Sequence, residues 1–183
     1  MSVKELENQI NLMAKKASKD YGITHLAADN NLKLYVVCQA LEEKGIHTTA
    51  LPKRKGNDLI VHNISNKKWR DLEGEEFEVK TTITNTVSCD IKKEKTLERL
   101  RDVHLITGVF NNGYLESGFF IEEPFQLKAI YLTCPKILEP YWNKRSWALD
   151  SSKGSDTGGI PLDYIVNHSK KIWGCPSIIR VLK

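Results

Sequence analysis

Three charged residues stand on two apolar segments of this chain. Asp58 opens Asp58–His62 (DLIVH), and Glu78 and Lys80 flank Val79 within Glu75–Ile83 (EEFEVKTTI). Both segments read as β-strands from their β-branched and alternating residues. Side chains two apart in a strand share a face, so Glu78 and Lys80 project together while Phe77 and Val79 turn to the core. The polar, turn-rich stretch 63–74 between the segments suits a hairpin, and pairing would bring Asp58 to the same surface. Two carboxylates offer oxygen ligands to Mg²⁺, a hard cation that keeps several of its waters. The Val79 carbonyl, lying between the polar side chains, is a further oxygen. A cation held there polarises a phosphodiester and activates water. Lys80 beside it orients or deprotonates that water and offsets charge on a phosphorane-like transition state. Taken alone, a Glu-x-Lys triplet arises by chance in most proteins. The competing reading is a solvated strand face carrying a Glu–Lys pair of little energetic weight.

The rest of the chain must position these groups. With 183 residues it is long enough for one domain with a real core. Residues Val3–Lys19 carry Leu6, Ile10, Met13, Ala14 and Ala17 at helical spacing. Asp29 or Asn30 caps a second helix with an inner face of Leu34, Val37, Cys38 and Leu41, and Gly45 ends it. A short strand is expected over His47–Leu51. Lys92–Asp102 reads as a charged helix. Val103–Phe110 and Tyr114–Ile121 read as strands joined by a turn at Asn111, Asn112 and Gly113. Pro135–Leu149 reads as a helix kinked or split at Pro140, Asp150–Gly159 as a long loop, Pro161–His168 as a short helix opened by proline, and Ile178–Leu182 as a final strand. Helices, then a mixed sheet, then helices predict an α/β fold.

Composition narrows the class. Hydrophobic residues make up 40% and charged ones 27%, as in a globular protein, and the net charge of +4 permits an anionic partner. The beginning of the chain has no apolar signal-like run, and no stretch reaches the roughly 18 apolar residues of a membrane span. Cys38, Cys89, Cys134 and Cys175 lie far apart with no paired spacing, which excludes an obvious zinc or disulfide framework and points to reduced thiols in the cytoplasm.

The order Asp58 … Glu78-Val79-Lys80 resembles the PD-(D/E)xK nuclease signature, and the chain resembles the small type II restriction endonucleases of the PvuII kind. Further landmarks follow in the same order: Gly22-Ile23, Asp29-Asn30 and Lys33-Leu34; Leu51-Pro52 and Gly56-Asn57-Asp58; Glu76-Phe77-Glu78-Val79-Lys80; and Ile160-Pro161-Leu162-Asp163-Tyr164-Ile165-Val166 with His168, Lys171 and Ile172. The resemblance implies a restriction-endonuclease-like core, a mixed central β-sheet flanked by helices, with N-terminal helices for dimerisation. It implies one domain over 1–183, with residues 1–46 a helical dimerisation region and 47–183 carrying catalysis and DNA recognition. It implies a homodimer on double-stranded DNA with one Mg²⁺-dependent site per subunit. There Asp58 and Glu78, with the Val79 carbonyl, hold the metal and Lys80 assists the water. It also sets Asp29, with Asn30 beside it, at the DNA cleft near the minor groove.

The chain departs from that pattern in several places. The span between Asp58 and Glu78 is longer, extending the hairpin through Lys67, Lys68, Trp69 and Arg70. Lys55 stands where an acidic residue can occur. The family's base-reading histidine cluster is replaced by Ser88, Cys89, Asp90, Lys92 and Lys93, and Gly158 and Gly159 stand in place of asparagines. A different recognition sequence follows, and a methylated site is within scope.

The segment 81–95, directly after the catalytic strand, is the expected major-groove reader. Thr84, Asn85, Ser88 and Asp90 supply donors and acceptors for base edges. Lys53, Arg54, Lys55, Lys92 and Lys93 are expected on phosphates, the alternative being solvated faces. Trp142, Trp147 and Trp173 are expected to pack, Trp69, in a polar insertion, to touch DNA or a second subunit instead, and His168 to make a structural hydrogen bond. A structure-specific or repair nuclease, and a catalytically dead DNA-binding protein, remain the alternatives to a sequence-specific enzyme.

Overall fold

A computed structural model describes residues 1–22, 30–51, 58–83, 85–90, 103–111, 125–142 and 157–174. Helices α1 (Val3–Tyr21) and α2 (Asn30–Glu43) come first, followed by strands β1 (Ile46–Ala50), β2 (Leu59–Ile64), β3 (Glu76–Thr82), β4 (Thr86–Asp90), β5 (His104–Asn111) and β6 (Gln126–Thr133). Helix α3 (Pro135–Trp142), strand β7 (Thr157–Pro161), helix α4 (Leu162–His168) and strand β8 (Lys170–Gly174) complete it.

Six strands form a mixed sheet in the order β1-β2-β3-β5-β6-β8. Only β3 and β5 pair in parallel; the other neighbours are antiparallel. Strands β4 and β7 form a separate antiparallel ribbon. The central strand β5 is buried at every position from Leu105 to Phe110, which requires cover on both faces. Ile106 and Phe110 join Phe77, Val79 and Ile130 in a core with α1 and α2. The alternate residues Leu105 and Val109 join Ala129, Tyr131, Val87, Leu138, Ile160 and Ile165 in a second core with the ribbon, α3 and α4.

Helix α1 begins in a reciprocal cap: Ser2 Oγ accepts from Glu5 N at 3.2 Å and Glu5 Oε2 accepts from Ser2 N at 2.7 Å. It ends at Gly22, whose φ of 67° is left-handed. Helix α2 lies close to the sheet at Gly108, where a Cβ would fall 2.8 Å from Val37 Cγ2. That close approach explains a glycine in a buried strand.

Several sequence expectations are corrected. Met13 points outward at 57% exposure, because the inner stripe of α1 runs through Val3, Leu6, Ile10 and Ala14. The loop expected over Asp150–Gly159 ends early, since Thr157–Gly159 already belong to β7. Neither β6 nor β8 is anticipated, and β6 is the strand that pairs β5 antiparallel. The expected helix Lys92–Asp102, strands Tyr114–Ile121 and Ile178–Leu182, and the far part of Pro135–Leu149 with Trp147 lie outside the described residues. Trp69 is a core residue at 4% exposure, held in the 3-10 turn Lys67–Leu72 between β2 and β3. Burial of its large ring outweighs the polarity of its neighbours, and Lys68 and Lys170 place their ammonium groups 4.8 and 5.3 Å from the ring centroid.

Candidate active site

Strand β3 supplies two of the three charged groups because its alternation splits cleanly. Phe77 and Val79 enter the helix-side core, whereas Glu78 and Lys80 lie on the opposite face. Glu78 is 4% exposed. A carboxylate that deep needs a compensating partner, and Lys80 Nζ donates to Glu78 Oε1 at 2.5 Å. The Lys80 side chain is 27% exposed against 5% for Glu78, so the pair runs from the interior to the surface.

Asp58 enters from β2, immediately ahead of Leu59. Its backbone N–H donates to Phe77 O at 3.0 Å, and its Oδ2 accepts from Val79 N at 2.7 Å. These two bonds bracket Glu78, fixing the Asp58 carboxylate beside the Glu78 position. A residue's N–H and C=O face the same edge of a strand. The Val79 carbonyl therefore faces the edge on which Asp58 sits. Asp58, Glu78 and the Val79 carbonyl are all oxygen donors, the chemistry a hard divalent cation takes. Among the described residues, no group of three or more His, Cys, Asp or Glu side chains gathers.

Burial chiefly pushes the thiol pKa of Cys38 on α2 up; the Thr48 hydroxyl opposes the rise, and the Glu42 and Asp58 charges add to it. Cys38 is a neutral thiol at pH 7, not a nucleophile.

The expected DNA-reading segment has a defined scaffold. Thr82 Oγ1 donates to Thr86 O at 2.6 Å across the bend from β3 to β4. Leu162 N donates to Asn85 O at 2.8 Å, tying the same bend to α4. In the ribbon Ser88 is opposite Gly159 and Asp90 opposite Thr157. Asn85 is exposed. Asn30 is the first residue of α2. Asp29, Lys53, Arg54, Lys55, Thr84, Lys92 and Lys93 lie outside the described residues. His168 stacks on Tyr164 at 4.2 Å and its Nδ1 donates to Tyr164 O at 2.9 Å, a structural role as expected.

The sequence reading passes over two threonines on the Glu78–Lys80 face. Thr82 and Thr107 are both buried, the latter completely. Their signal, a hydroxyl at an in-facing strand position, is hidden because threonine is also an ordinary β-former.

A family model described as "Restriction endonuclease PvuII" matches residues 1–173 of the chain.

Proposed function

Because this chain belongs to the PvuII restriction endonuclease family, and is a type II site-specific deoxyribonuclease acting on double-stranded DNA, we propose that Asp58, Glu78 and Lys80 are its catalytic residues. Enzymes of this kind use a divalent metal ion; the ion assigned here is Mg²⁺, held by Asp58, Glu78 and the Val79 carbonyl. Bound there, it would supply Lewis-acid stabilisation of the scissile phosphate. The protein's own groups do the rest. Asp58 is locked by the Val79 N–H, so its carboxylate needs no reorganisation during the reaction. Glu78, at 4% exposure, lies in a water-poor site where electrostatic interactions are strong. Lys80, at the exposed rim of the pair, orients the attacking water and offsets the charge that builds on the phosphate oxygens.

The observation that carries this reading is the bracketing of Glu78 by Asp58, through Phe77 O at 3.0 Å and Val79 N at 2.7 Å. Glu78→Ala is expected to abolish plasmid cleavage in Mg²⁺ while duplex binding, measured by gel shift in Ca²⁺, stays near the parent value. Unchanged cleavage by this variant would end the assignment.

The reading extends to the DNA contacts. Asn85, Ser88 and Asp90, with Thr84, read base edges, while Lys53, Arg54, Lys55, Lys92 and Lys93 neutralise phosphates. Asp29 and Asn30 approach the minor groove. The working unit is a homodimer on a short symmetric site, a single domain per subunit with residues 1–46 as the dimerisation region. Its support is an apolar surface on the two N-terminal helices: Leu12, Met13 and Tyr21 on α1 and Tyr35 on α2 are 68%, 57%, 75% and 50% exposed. No helix among the described residues is long and apolar enough to cross a membrane. The cytoplasm, where its DNA substrate lies, is the assigned location.

A further inference from the structure

Thr107 sits in the middle of β5, fully buried, and its Oγ1 has no hydrogen-bond partner among the described residues. A buried hydroxyl without a partner is costly, and replacing it with a methyl group would remove that cost. Its surroundings show where the missing partner comes from. Thr107 alternates with Leu105 and Val109, so it shares the sheet face of Glu78 and Lys80. Both of those neighbours along the strand are apolar. Across the parallel pairing Thr107 is in register with Lys80, and on its other side with Tyr131. Neighbouring strands run about 4.8 Å apart, well within the reach of a lysine side chain.

Lys80 is held at Glu78 Oε1 in this structure. A cation that takes Glu78 Oε1 competes directly with that contact and frees the ammonium group to shift. We propose that Thr107 is a positioning residue that receives the Lys80 ammonium when Glu78 turns to the metal. The hydroxyl accepts one N–H and keeps Lys80 beside the phosphate instead of letting it swing into solvent. In the loaded state the Thr107 hydroxyl gains the hydrogen bond it lacks. The inference rests on the assignment of Glu78 and Lys80 to the active site.

The test uses the full-length protein with Thr107→Val, Thr107→Ser and Lys80→Met. Calorimetric titration with Ca²⁺, without DNA, reads the competition at Glu78 independently of cleavage. Thr107→Val is expected to weaken Ca²⁺ binding and to slow single-turnover cleavage in Mg²⁺, each on the order of tenfold. Gel-shift affinity for duplex should not change, and metal-free Tm should equal or exceed the parent's. Thr107→Ser restores both losses, and in a Lys80→Met background Thr107→Val has no further effect. Parent-like Ca²⁺ affinity and cleavage in Thr107→Val, or a lowered metal-free Tm, would overturn the role of Thr107 alone. Full cleavage by Lys80→Met would overturn the active-site assignment beneath it.

Discussion

At the scale of single residues, the site works by contrast in burial. Glu78 is held deep and Lys80 reaches outward from it, which in the proposed site separates the metal-facing carboxylate from the group turned toward substrate. A positive group beside a developing oxyanion typically contributes 10²–10³ in rate. Lys80→Met should therefore lower the cleavage rate by about 10²–10³-fold with little change in duplex binding, checked by single-turnover digestion alongside gel shift. A variant that loses binding in proportion to rate would mark Lys80 as a phosphate anchor instead. These three charged residues are legible in the sequence because alternation alone sorts Phe77 and Val79 from Glu78 and Lys80. Thr107 is not legible, since nothing local separates it from any other strand threonine.

At the scale of elements, strand β3 is steadied by what packs beneath it. Helix α1 is fastened to β6 through Glu7, whose Oε1 accepts from Leu127 N at 2.6 Å, and through Asn11, which exchanges hydrogen bonds with the Phe125 backbone. Burial pushes the Glu7 carboxyl up from its ordinary value; the Leu127 N–H and the Lys128 charge oppose the rise, and Glu43 adds to it. The folded state therefore holds this proton to a higher pH than the unfolded chain. Stability from this group is greatest in acid and falls as the pH rises through the elevated pKa, because the ionised form is the one penalised by folding. Glu7→Gln keeps an acceptor for Leu127 and removes the charge. It should be more stable than the parent at pH 7, with the gap closing as the pH approaches the ordinary carboxylate range. Urea denaturation at pH 7 and near pH 5 checks this; a variant less stable at both would show that the charged hydrogen bond outweighs burial.

At the scale of the whole molecule, the layers have distinct tasks. The helix-side core secures the back of β3, and the opposite face carries the charged groups beside the ribbon and α4. The N-terminal helices expose Leu12, Met13, Tyr21 and Tyr35, the side chains assigned above to the subunit contact. Leu12→Glu with Met13→Glu should leave the subunit folded, with an unchanged circular-dichroism spectrum, but shift it from dimer to monomer in sedimentation and convert double-strand cutting to weak nicking or none. A parent enzyme that sediments as a monomer while cutting both strands would sink the dimer reading.

The sequence by itself determined the local facts: the amphipathic α1, the helix–turn–strand entry through Gly45, the hairpin from β2 to β3, and the acidic pair with its lysine. Those follow from periodicity and turn chemistry, which act over a few residues. Tertiary structure decided what depends on distant partners. Strand β6 has a β-rich run of its own in residues 129–133, but its place beside β5 is a matter of tertiary pairing, and the short, half-polar β8 depends on the edge that β6 offers. Gly158 and Gly159 read as a loop in isolation yet form strand β7 against β4. Trp69 reads as surface from its charged neighbours, yet the fold buries it because removing its ring from water outweighs the local polarity. The same holds for the hydroxyl of Thr107, whose neighbour Lys80 is 27 residues away in the chain and one strand away in space.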